Sequence, residues 1–399
     1  MCTNSKVIVL SPSIAIVIDP WDFPFNGGVV STRRFVHALQ DQYSFKLLAT
    51  PDINQQADCR MVQFRRVSLP GFNAILDEMK VPLARSDRKL LRQSLAHCEL
   101  LHVQFPFFLG FAAISEAVKL NIPVICSFHV QPENLLLNVG IRSRWLSKLL
   151  YKFFIAAFYN RADLTIAPSE FAAETLRAFG LTKPVKVISN GVPGQFLSVQ
   201  HRLETQNPDV KLYKVLSVGR LAKEKCHDIL LQAIARSKYK DSIELIVVGA
   251  GPREAKLKSL ATKLKLNATI ESVSDETLLT LYTEATLFVH TGEIELEGMS
   301  VIEAMATSNA VLVSDSKDSA TARLISNPRA LFINGDADDL ATKIDYWLAH
   351  PEARLAEGKN NREWAGRRSH ADSATQLASV YDDFLALDSR IEFSLSEAE

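Results

Sequence analysis

Short apolar runs rich in β-branched residues alternate with longer amphipathic segments along almost the whole chain. A strand buried on both faces reads as a continuous apolar run, and a parallel strand needs a helical crossover to reach the next one. The pattern therefore predicts an α/β fold in which βαβ units build parallel sheets. Four of these runs are SIAIVID (13–19), PVICSFHV (123–130), KVLSVGRL (214–221) and IELIVVGAG (243–251).

The chain has 399 residues, which is too long for one ordinary core and suits two domains. A polar, irregular segment near residue 200 separates two series of strands and helices. We predict a first Rossmann-like domain over 1–195, a linker over 196–212 and a second Rossmann-like domain over 213–371. Two such domains facing one another place ligands in a central cleft, at the carboxyl ends of the strands.

Composition excludes several classes of protein. The 45 basic and 45 acidic residues give no overall field for nucleic acid, so we expect no nucleic-acid partner. Five cysteines without a CxxC spacing indicate neither a disulfide framework nor a zinc site and favour a reducing compartment. The apolar N-terminal segment reads as a strand rather than a signal peptide. We expect a cytoplasmic protein, soluble or peripheral at the inner face of the membrane.

Two glycines precede the first amphipathic helix. Gly27 and Gly28 follow a strand that ends near Asp19. Glycines before a helix let the backbone approach a ligand and direct free amides at an anion. An ordinary turn from strand to helix explains this stretch equally well.

Two cations follow the first strand of the second domain. Arg220 comes directly after the apolar run and Lys225 lies five residues later, before the next helix. At the carboxyl end of a strand they would face the cleft, where a diphosphate matches them in charge and geometry. The alternative is a solvated loop with surface cations.

The segment HTGEIELEGMSVIEAMA (290–306) joins a strand to a helix through an acidic loop. The first amides of that helix would be free to bind phosphate. Glu303 lies one turn into the helix, where a carboxylate accepts hydrogen bonds from ribose hydroxyls, and Glu295 reaches the cleft from the loop. Together they predict a nucleoside-diphosphate site; the alternative is that both are ordinary loop and first-turn acids. Spacing favours Glu295 over Glu297 as the loop glutamate.

Two further features could contribute to the cleft. His129 follows a strand of the first domain, with Glu133 four residues later, and a structural and a functional role are equally supported. Gly249 and Gly251 resemble a dinucleotide fingerprint, but Glu254 replaces the third glycine that close helix packing requires. Nicotinamide or flavin binding is therefore disfavoured.

In their order along the chain, these elements resemble the family-4 retaining glycosyltransferases of the GT-B fold. The resemblance implies that Glu303 holds the donor ribose and Glu295 contacts the donor sugar. It also implies that a last helix, 372–399 with an acidic tail, crosses back to the first domain. The residues that it assigns to catalysis are His129 and Glu295, and those that it assigns to the donor are Gly27, Gly28, Arg220, Lys225, Gly298, Met299, Ser300 and Glu303.

The implied function is transfer of a hexose from a nucleotide sugar, with a UDP-sugar favoured, to a lipid or glycan hydroxyl. No cofactor is expected, because the nucleotide sugar is a substrate. No metal is expected either, since Asp336 and Asp338 read as a helix cap. Two alternatives stay open: a nucleotide-sugar epimerase or hydrolase with the same fold, and a non-catalytic protein that binds nucleotide sugars.

The acceptor is indicated by two features. The motifs around His129 and Glu295 are most similar to those of diacylglycerol glucosyltransferases and their relatives. Residues 141–161 hold five basic and no acidic residues and have helical apolar spacing, which is typical of a helix on an anionic bilayer. The alternative is a helix that packs on the first sheet and turns its basic side to water.

Overall fold

A computed structural model describes residues 11–21, 26–50, 61–67, 83–199 and 212–396, with side chains described as far as residue 386. The N-terminal residues 1–10 and most of the predicted linker lie outside these ranges.

The first domain is a parallel sheet with helices on both faces. Its strands are β1 (Ser13–Pro20), β2 (Ser44–Thr50), β3 (Met61–Gln63), β4 (Leu100–Val103), β5 (Val124–Ser127), β6 (Leu164–Ala167) and β7 (Val185–Val187). Its helices are α1 (Gly27–Leu39), α2 (Arg88–Leu95), α3 (Phe108–Lys119), α4 (Pro132–Asn138), α5 (Arg144–Ala157) and α6 (Glu170–Ala178). The strand order is β3-β2-β1-β4-β5-β6-β7, and each described pairing is parallel.

The second domain repeats this architecture with a six-stranded parallel sheet. Its elements begin with α7 (Gly194–Ser198), β8 (Tyr213–Val218), α8 (His227–Arg236), β9 (Ile243–Val248), α9 (Glu254–Lys263), β10 (Ala268–Glu271) and α10 (Asp275–Glu284). They continue with β11 (Leu287–His290), α11 (Met299–Ala306), β12 (Val311–Ser314), β13 (Leu331–Phe332), α12 (Ala337–Ala349), α13 (Pro351–Ala365) and α14 (His370–Ser396). The order is β10-β9-β8-β11-β12-β13.

Apolar cores cover both faces of each sheet. In the second domain, one core contains residues of α8, α9 and α12, and the other contains residues of α10 and α11. Strands such as β4, β5 and β11 are buried along their whole length, which explains their unbroken apolar sequence. The prediction of an α/β fold with two Rossmann-like domains is confirmed.

The last helix, α14, packs on the first domain. Tyr381 is buried and its hydroxyl lies 2.7 Å from Nδ1 of His102 on β4. Tyr43, which precedes β2, donates a hydrogen bond of 2.6 Å to Asp382. In the opposite direction, Val192 and Phe196 lie in a core of the second domain. The chain therefore crosses between the domains twice, and both crossings make contacts that connect the two domains.

Polar side chains define where several helices begin. Ser143 caps α5, because its hydroxyl accepts a hydrogen bond from the amide of Leu146. Asp336 caps α12 through the amides of Asp338 and Asp339, at 2.9 and 3.0 Å. Asp336 of the Asp-x-Asp pair is thus a helix cap, as predicted from the sequence, and Asp338 lies in the first turn of the helix.

Candidate functional site

The predicted site residues come from both domains. Gly27 and Gly28 begin α1 and His129 follows β5, while the second domain contributes the loops after β8 and β11 and the start of α11. A Cβ atom built on Gly27 would lie 3.7 Å from Sδ of Met299. The two walls therefore meet at the glycines, next to the N-terminus of α11.

The N-terminus of α11 offers unused amides to the cleft. Gly298 precedes the helix with φ 88°, a left-handed conformation, and a Cβ there would lie 2.3 Å from Cγ2 of the buried Thr321. Only glycine fits both constraints. Within the described ranges, the amides of Met299 and Ser300 have no acceptor. Free amides at a helix N-terminus bind phosphate well.

Glu303 lies one turn into α11 and is buried, with 7% of its surface exposed. Both terminal nitrogens of Arg34, on α1 of the first domain, donate to its Oε1 at 3.2 Å. The Tyr282 hydroxyl donates to Oε2 at 3.3 Å. Burial raises the pKa of Glu303, and Arg34 and Tyr282 oppose that rise. This carboxylate accepts hydrogen bonds from both domains.

Glu295 forms an ion pair with Lys225. The Lys225 ammonium donates to Oε1 of Glu295, and Nε2 of His290 lies 3.1 Å from the same oxygen. Burial acts to raise the pKa of Glu295, but Lys225 and His290 outweigh it and bring the pKa to about 2. Glu295 is therefore a carboxylate at every physiological pH, held between the loops that follow β8 and β11.

Arg220 is paired with a neighbour that sequence reasoning did not identify. Its guanidinium donates to Oε1 of Glu224, which is 2% exposed. The two cations predicted to face a diphosphate thus each have a carboxylate partner. Such pairing fixes the direction of the long side chains and lowers the cost of keeping them near the cleft.

His129 is held from behind by the first domain. Its Nε2 lies 3.1 Å from Oε1 of Gln104, which also accepts a hydrogen bond of 3.1 Å from Thr32 on α1. A Cβ on Gly28 would lie 3.0 Å from Cβ and Cγ of His129, so glycine is needed for this approach. Burial lowers the pKa of His129 to about 4. The imidazole is therefore neutral near pH 7 and acts as a hydrogen-bonding group rather than a cation.

Glu297 binds the other domain instead of the cleft. Its Oε1 accepts a hydrogen bond of 3.1 Å from the amide of Asn190, and the Ser189 hydroxyl donates to the same oxygen at 2.5 Å. Burial raises the pKa of Glu297 to about 7. The two glutamates of the loop thus have different partners. Glu295 binds Lys225, and Glu297 binds Ser189 and Asn190 of the first domain.

Four contributors were missed from the sequence: Arg34, Glu224, Tyr282 and His290. Arg34 had a weak signal, because it lies two turns after Gly27 on the same helix. The other three had none, since their roles depend on partners that only the fold defines.

The paired glycines of the β9 loop have a packing role. A Cβ on Gly249 would lie 2.0 Å from the carbonyl oxygen of Gly219, and one on Gly251 would lie 2.5 Å from that of Leu221. They let the loops after β8 and β9 touch, which accounts for the incomplete dinucleotide fingerprint.

The described residues contain neither a cluster suited to a metal ion nor a helix suited to cross a membrane. No group of three or more histidine, cysteine or acidic side chains there is arranged to hold a metal ion. Similarly, none of the described helices combines the length and the apolar character that crossing a bilayer requires.

Comparison with protein families gives two adjoining matches. Residues 25–195 match the family described as Glycosyltransferase Family 4, and residues 201–364 match Glycosyl transferases group 1. The matched regions correspond to the two Rossmann-like domains.

Individual relatives have low sequence identity but align over most of this chain. The sulfoquinovosyl transferase of Arabidopsis thaliana is 25% identical over 366 residues, 88% of this chain and 69% of the relative. The alpha-monoglucosyldiacylglycerol synthase of Streptococcus pneumoniae is 25% identical over 318 residues, 75% and 70% of the two chains. A GDP-mannose-dependent alpha-mannosyltransferase of Corynebacterium glutamicum is 26% identical over 407 aligned residues, 96% and 92%.

The fold is shared with a solved structure. Anabaena HepE, in complex with UDP and glucose, superposes with a TM-score of 0.72 at 16% identity, over 93% of this chain and 100% of that one. At this identity the likeness shows the GT-B fold and no more.

Proposed function

This chain belongs to glycosyltransferase family 4 and has the GT-B fold, and from that premise we propose a specific reaction. A hexose passes from a nucleoside-diphosphate sugar, with UDP as the favoured nucleotide, to a hydroxyl group of a lipid or glycan. The anomeric configuration of the donor is retained. Relatives named for GDP-mannose make the base the first property to test.

One observation carries the proposal. Free amides at Met299 and Ser300, the buried carboxylate of Glu303 one turn later, and the cations Arg220 and Lys225 all belong to one wall of the cleft. A nucleoside diphosphate has the matching order of groups: ribose hydroxyls that donate, then phosphates that accept.

The chemistry follows from these groups. As the bond between the sugar C1 and the diphosphate oxygen breaks, negative charge grows on the departing phosphate. Arg220, Lys225 and the amides of α11 are positioned to stabilise that charge, which lowers the barrier. The acceptor oxygen then bonds to C1 on the same face of the sugar, and its proton passes to the departing diphosphate.

Glu295 has an electrostatic role in this scheme. With a pKa of about 2 and an ion pair to Lys225, it stays ionised beside the sugar but is held by its partners. We assign it to donor-sugar contact and to stabilisation of positive charge near C1, rather than to covalent attack. His129, neutral and on the opposite wall, donates through Nε2 to Oε1 of Gln104, so its Nδ1 is left as an acceptor for a sugar hydroxyl.

The reaction is proposed to be independent of divalent metals, since the cations and amides of the cleft neutralise the diphosphate. EDTA should leave the initial rate unchanged. A rate abolished by EDTA and restored by a divalent ion would contradict this assignment.

A thermal-shift panel with UDP, GDP, ADP and their sugar conjugates tests the donor assignment. A ligand at a hundredfold its Kd adds about 2.7 kcal/mol, which raises the Tm by several degrees. NAD serves as the negative control, and Glu303→Ala is the matched variant expected to lose the shift. A folded protein that responds to none of the nucleotides would contradict the donor site.

The lipid acceptor is supported by the outer face of α5. Trp145, Leu149 and Phe153 lie on one stripe of the helix and are 73%, 49% and 52% exposed. Exposed lysines at 148 and 152 flank them, and no acidic residue occurs in 141–161. An exposed apolar stripe with a basic border matches an anionic bilayer in polarity and charge. The relative from Streptococcus pneumoniae is named as the synthase of a glucosylated diacylglycerol, which also supports a lipid acceptor.

Both sequence interpretations of this helix have a counterpart in the structure. Ser147, Tyr151 and Ile155 are buried against the first domain, so the helix packs on it with one face. The opposite face keeps its apolar side chains in water. We propose that this face makes the protein peripheral at the inner, cytoplasmic face of a membrane.

Co-sedimentation with vesicles tests this docking. Wild type should bind vesicles that contain phosphatidylglycerol and should dissociate as salt rises, because surface charge is screened. Replacing Trp145, Leu149 and Phe153 by serine should abolish binding with little change in Tm. Unchanged binding by the folded variant would place the membrane contact elsewhere.

A further inference from the structure

A second cleft, next to the predicted donor site, lies between the two domains. It has a volume of about 540 Å³ and is lined by the loop after α4 and by the N-terminal ends of α8 and α9. Helices α8 and α9 cover one face of the second sheet, and α11 covers the other. The lining includes none of the described residues of α11, although Lys223 and Glu293 belong to the same loops as Lys225 and Glu295.

Two carboxylates of the cleft are already neutralised. Arg142 of the first domain donates to Oε1 of Glu293 at 2.6 Å across the domain boundary. Arg253 makes two hydrogen bonds to Asp228, at 3.0 and 3.3 Å. Burial raises the pKa of the lining thiol of Cys226 to about 12, so it contributes no negative charge.

Two lysines remain without such a partner. Lys223 and Lys256 both line the cleft, and neither forms an ion pair within the ranges that the structure describes. The ammonium of Lys223 faces the first domain, 3.8 Å from the position of a Cβ on Gly140. With both carboxylates paired, the cleft carries an excess positive charge, which favours an anion.

Exposed apolar residues lie between the cleft and α5 along the chain. Gly140 and Arg142 line the cleft. Val139, which precedes Gly140, is 44% exposed, and Ile141, between Gly140 and Arg142, is 42% exposed. Trp145 follows within one turn and is the most exposed large apolar side chain among the described residues. A ligand with a charged head and an apolar tail would therefore find both kinds of partner on neighbouring residues of the chain.

We propose that this cleft binds a phosphate ester, namely the headgroup of an anionic lipid in the membrane on which α5 docks. The inference rests on the membrane contact proposed above and adds a specific headgroup site to it. A phosphodiester matches the two unpaired lysines in charge, and the volume admits a glycerol phosphate headgroup. Its acyl chains would leave past Ile141 towards Trp145.

Two matched double variants test the site. Lys223→Gln with Lys256→Gln removes the cleft charges, and Lys238→Gln with Lys263→Gln removes two exposed charges elsewhere on the same domain. Binding to phosphatidylglycerol vesicles should fall about tenfold more for the cleft variant than for its control, given the contribution of each lysine near a bilayer. Vesicles of phosphatidylcholine alone should not distinguish the two.

Soluble glycerol 1-phosphate distinguishes a lipid headgroup from a soluble phosphate ester as the ligand of the cleft. It should raise the Tm of wild type and of the control variant, but not that of the cleft variant. If it does so while both variants bind vesicles equally, the ligand is a soluble phosphate ester and the lipid assignment is wrong. Equal behaviour of the two variants in both assays would overturn the site itself.

Failure of this inference is distinguishable from failure of the donor assignment. The UDP-dependent thermal shift should be the same in wild type and in both variants, because α11 and its partners are unchanged. Loss of that shift in wild type would refute the donor site and leave the comparison of the variants on vesicles intact.

Discussion

The proposed donor site of the second domain and the outer face of α5 differ in how their functional side chains are held. In the donor site the charged groups are partnered: Lys225 with Glu295, Arg220 with Glu224, and Glu303 with Arg34. On α5 the apolar side chains of Trp145, Leu149 and Phe153 are about half or more exposed to water. A small polar ligand needs a few charges held in fixed directions, whereas a bilayer needs area, so the two surfaces differ as their proposed ligands differ.

The two faces of α5 give the largest expected contrast in stability. Tyr151 is 3% exposed and stacks on Phe179 with ring centroids 4.2 Å apart, so Tyr151→Ala should lower the free energy of unfolding by about 3–5 kcal/mol. Leu149→Ser, two residues earlier on the exposed face, should change it by less than about 0.5 kcal/mol. Chemical denaturation measures both. Similar losses would mean that the exposed face is part of the folded core.

Removal of Glu303 should have the largest effect on activity. Glu303→Ala deletes the proposed ribose contact, and we expect kcat/KM for the donor to fall about 10²-fold while the protein stays folded. Leu149→Ser, assayed with a soluble acceptor, should keep wild-type kcat/KM. A Glu303→Ala enzyme with wild-type kinetics would remove the site assignment.

For Arg220 the structure improves the test. Arg220→Ala alone leaves Glu224 buried and unpaired, which destabilises the fold for reasons unrelated to the donor. The double variant Arg220→Ala with Glu224→Gln removes both charges. We expect it to have near-wild-type stability and weakened use of the donor.

Glu297 links pH to the contact between the domains. Its pKa is raised from 4.5 to about 7 in the folded protein, so the folded state binds this proton more tightly than the unfolded state. Its contribution to stability is therefore complete below pH 4.5 and is lost as pH rises to about 7, on the order of 3 kcal/mol. Glu297→Gln should flatten that part of the profile of unfolding free energy against pH. An unchanged slope would show that another group is responsible.

Gly28 gives the smallest expected effect. In Gly28→Ala the new Cβ would press on His129, and the free energy of unfolding should fall by about 1–3 kcal/mol. Gly27→Ala is the matched control, because its Cβ would meet only the flexible Met299 at 3.7 Å. Equal stability of the two variants would show that His129 moves freely.

The sequence predicted those parts of the site that local patterns encode. The apolar strands predicted the two sheets, and the order of Gly27, Arg220, Lys225, Glu295 and Glu303 predicted one cleft. It could not predict the partners of these residues, since Arg34 and Glu303 are 269 positions apart and their pairing depends on how the domains face each other. The periodicity of α5 likewise could not show which of its apolar side chains are buried.

Acceptor-dependent transfer tests the central claim most directly. Purified protein is incubated with the nucleotide sugar identified by thermal shift, with and without vesicles that contain diacylglycerol, and both free nucleoside diphosphate and glycolipid are measured. We predict that nucleotide release depends on the acceptor, equals glycolipid formed, and gives a product whose anomeric proton coupling matches the donor's configuration. Nucleotide release without an acceptor, and with no glycolipid, would identify a hydrolase or epimerase and contradict the account.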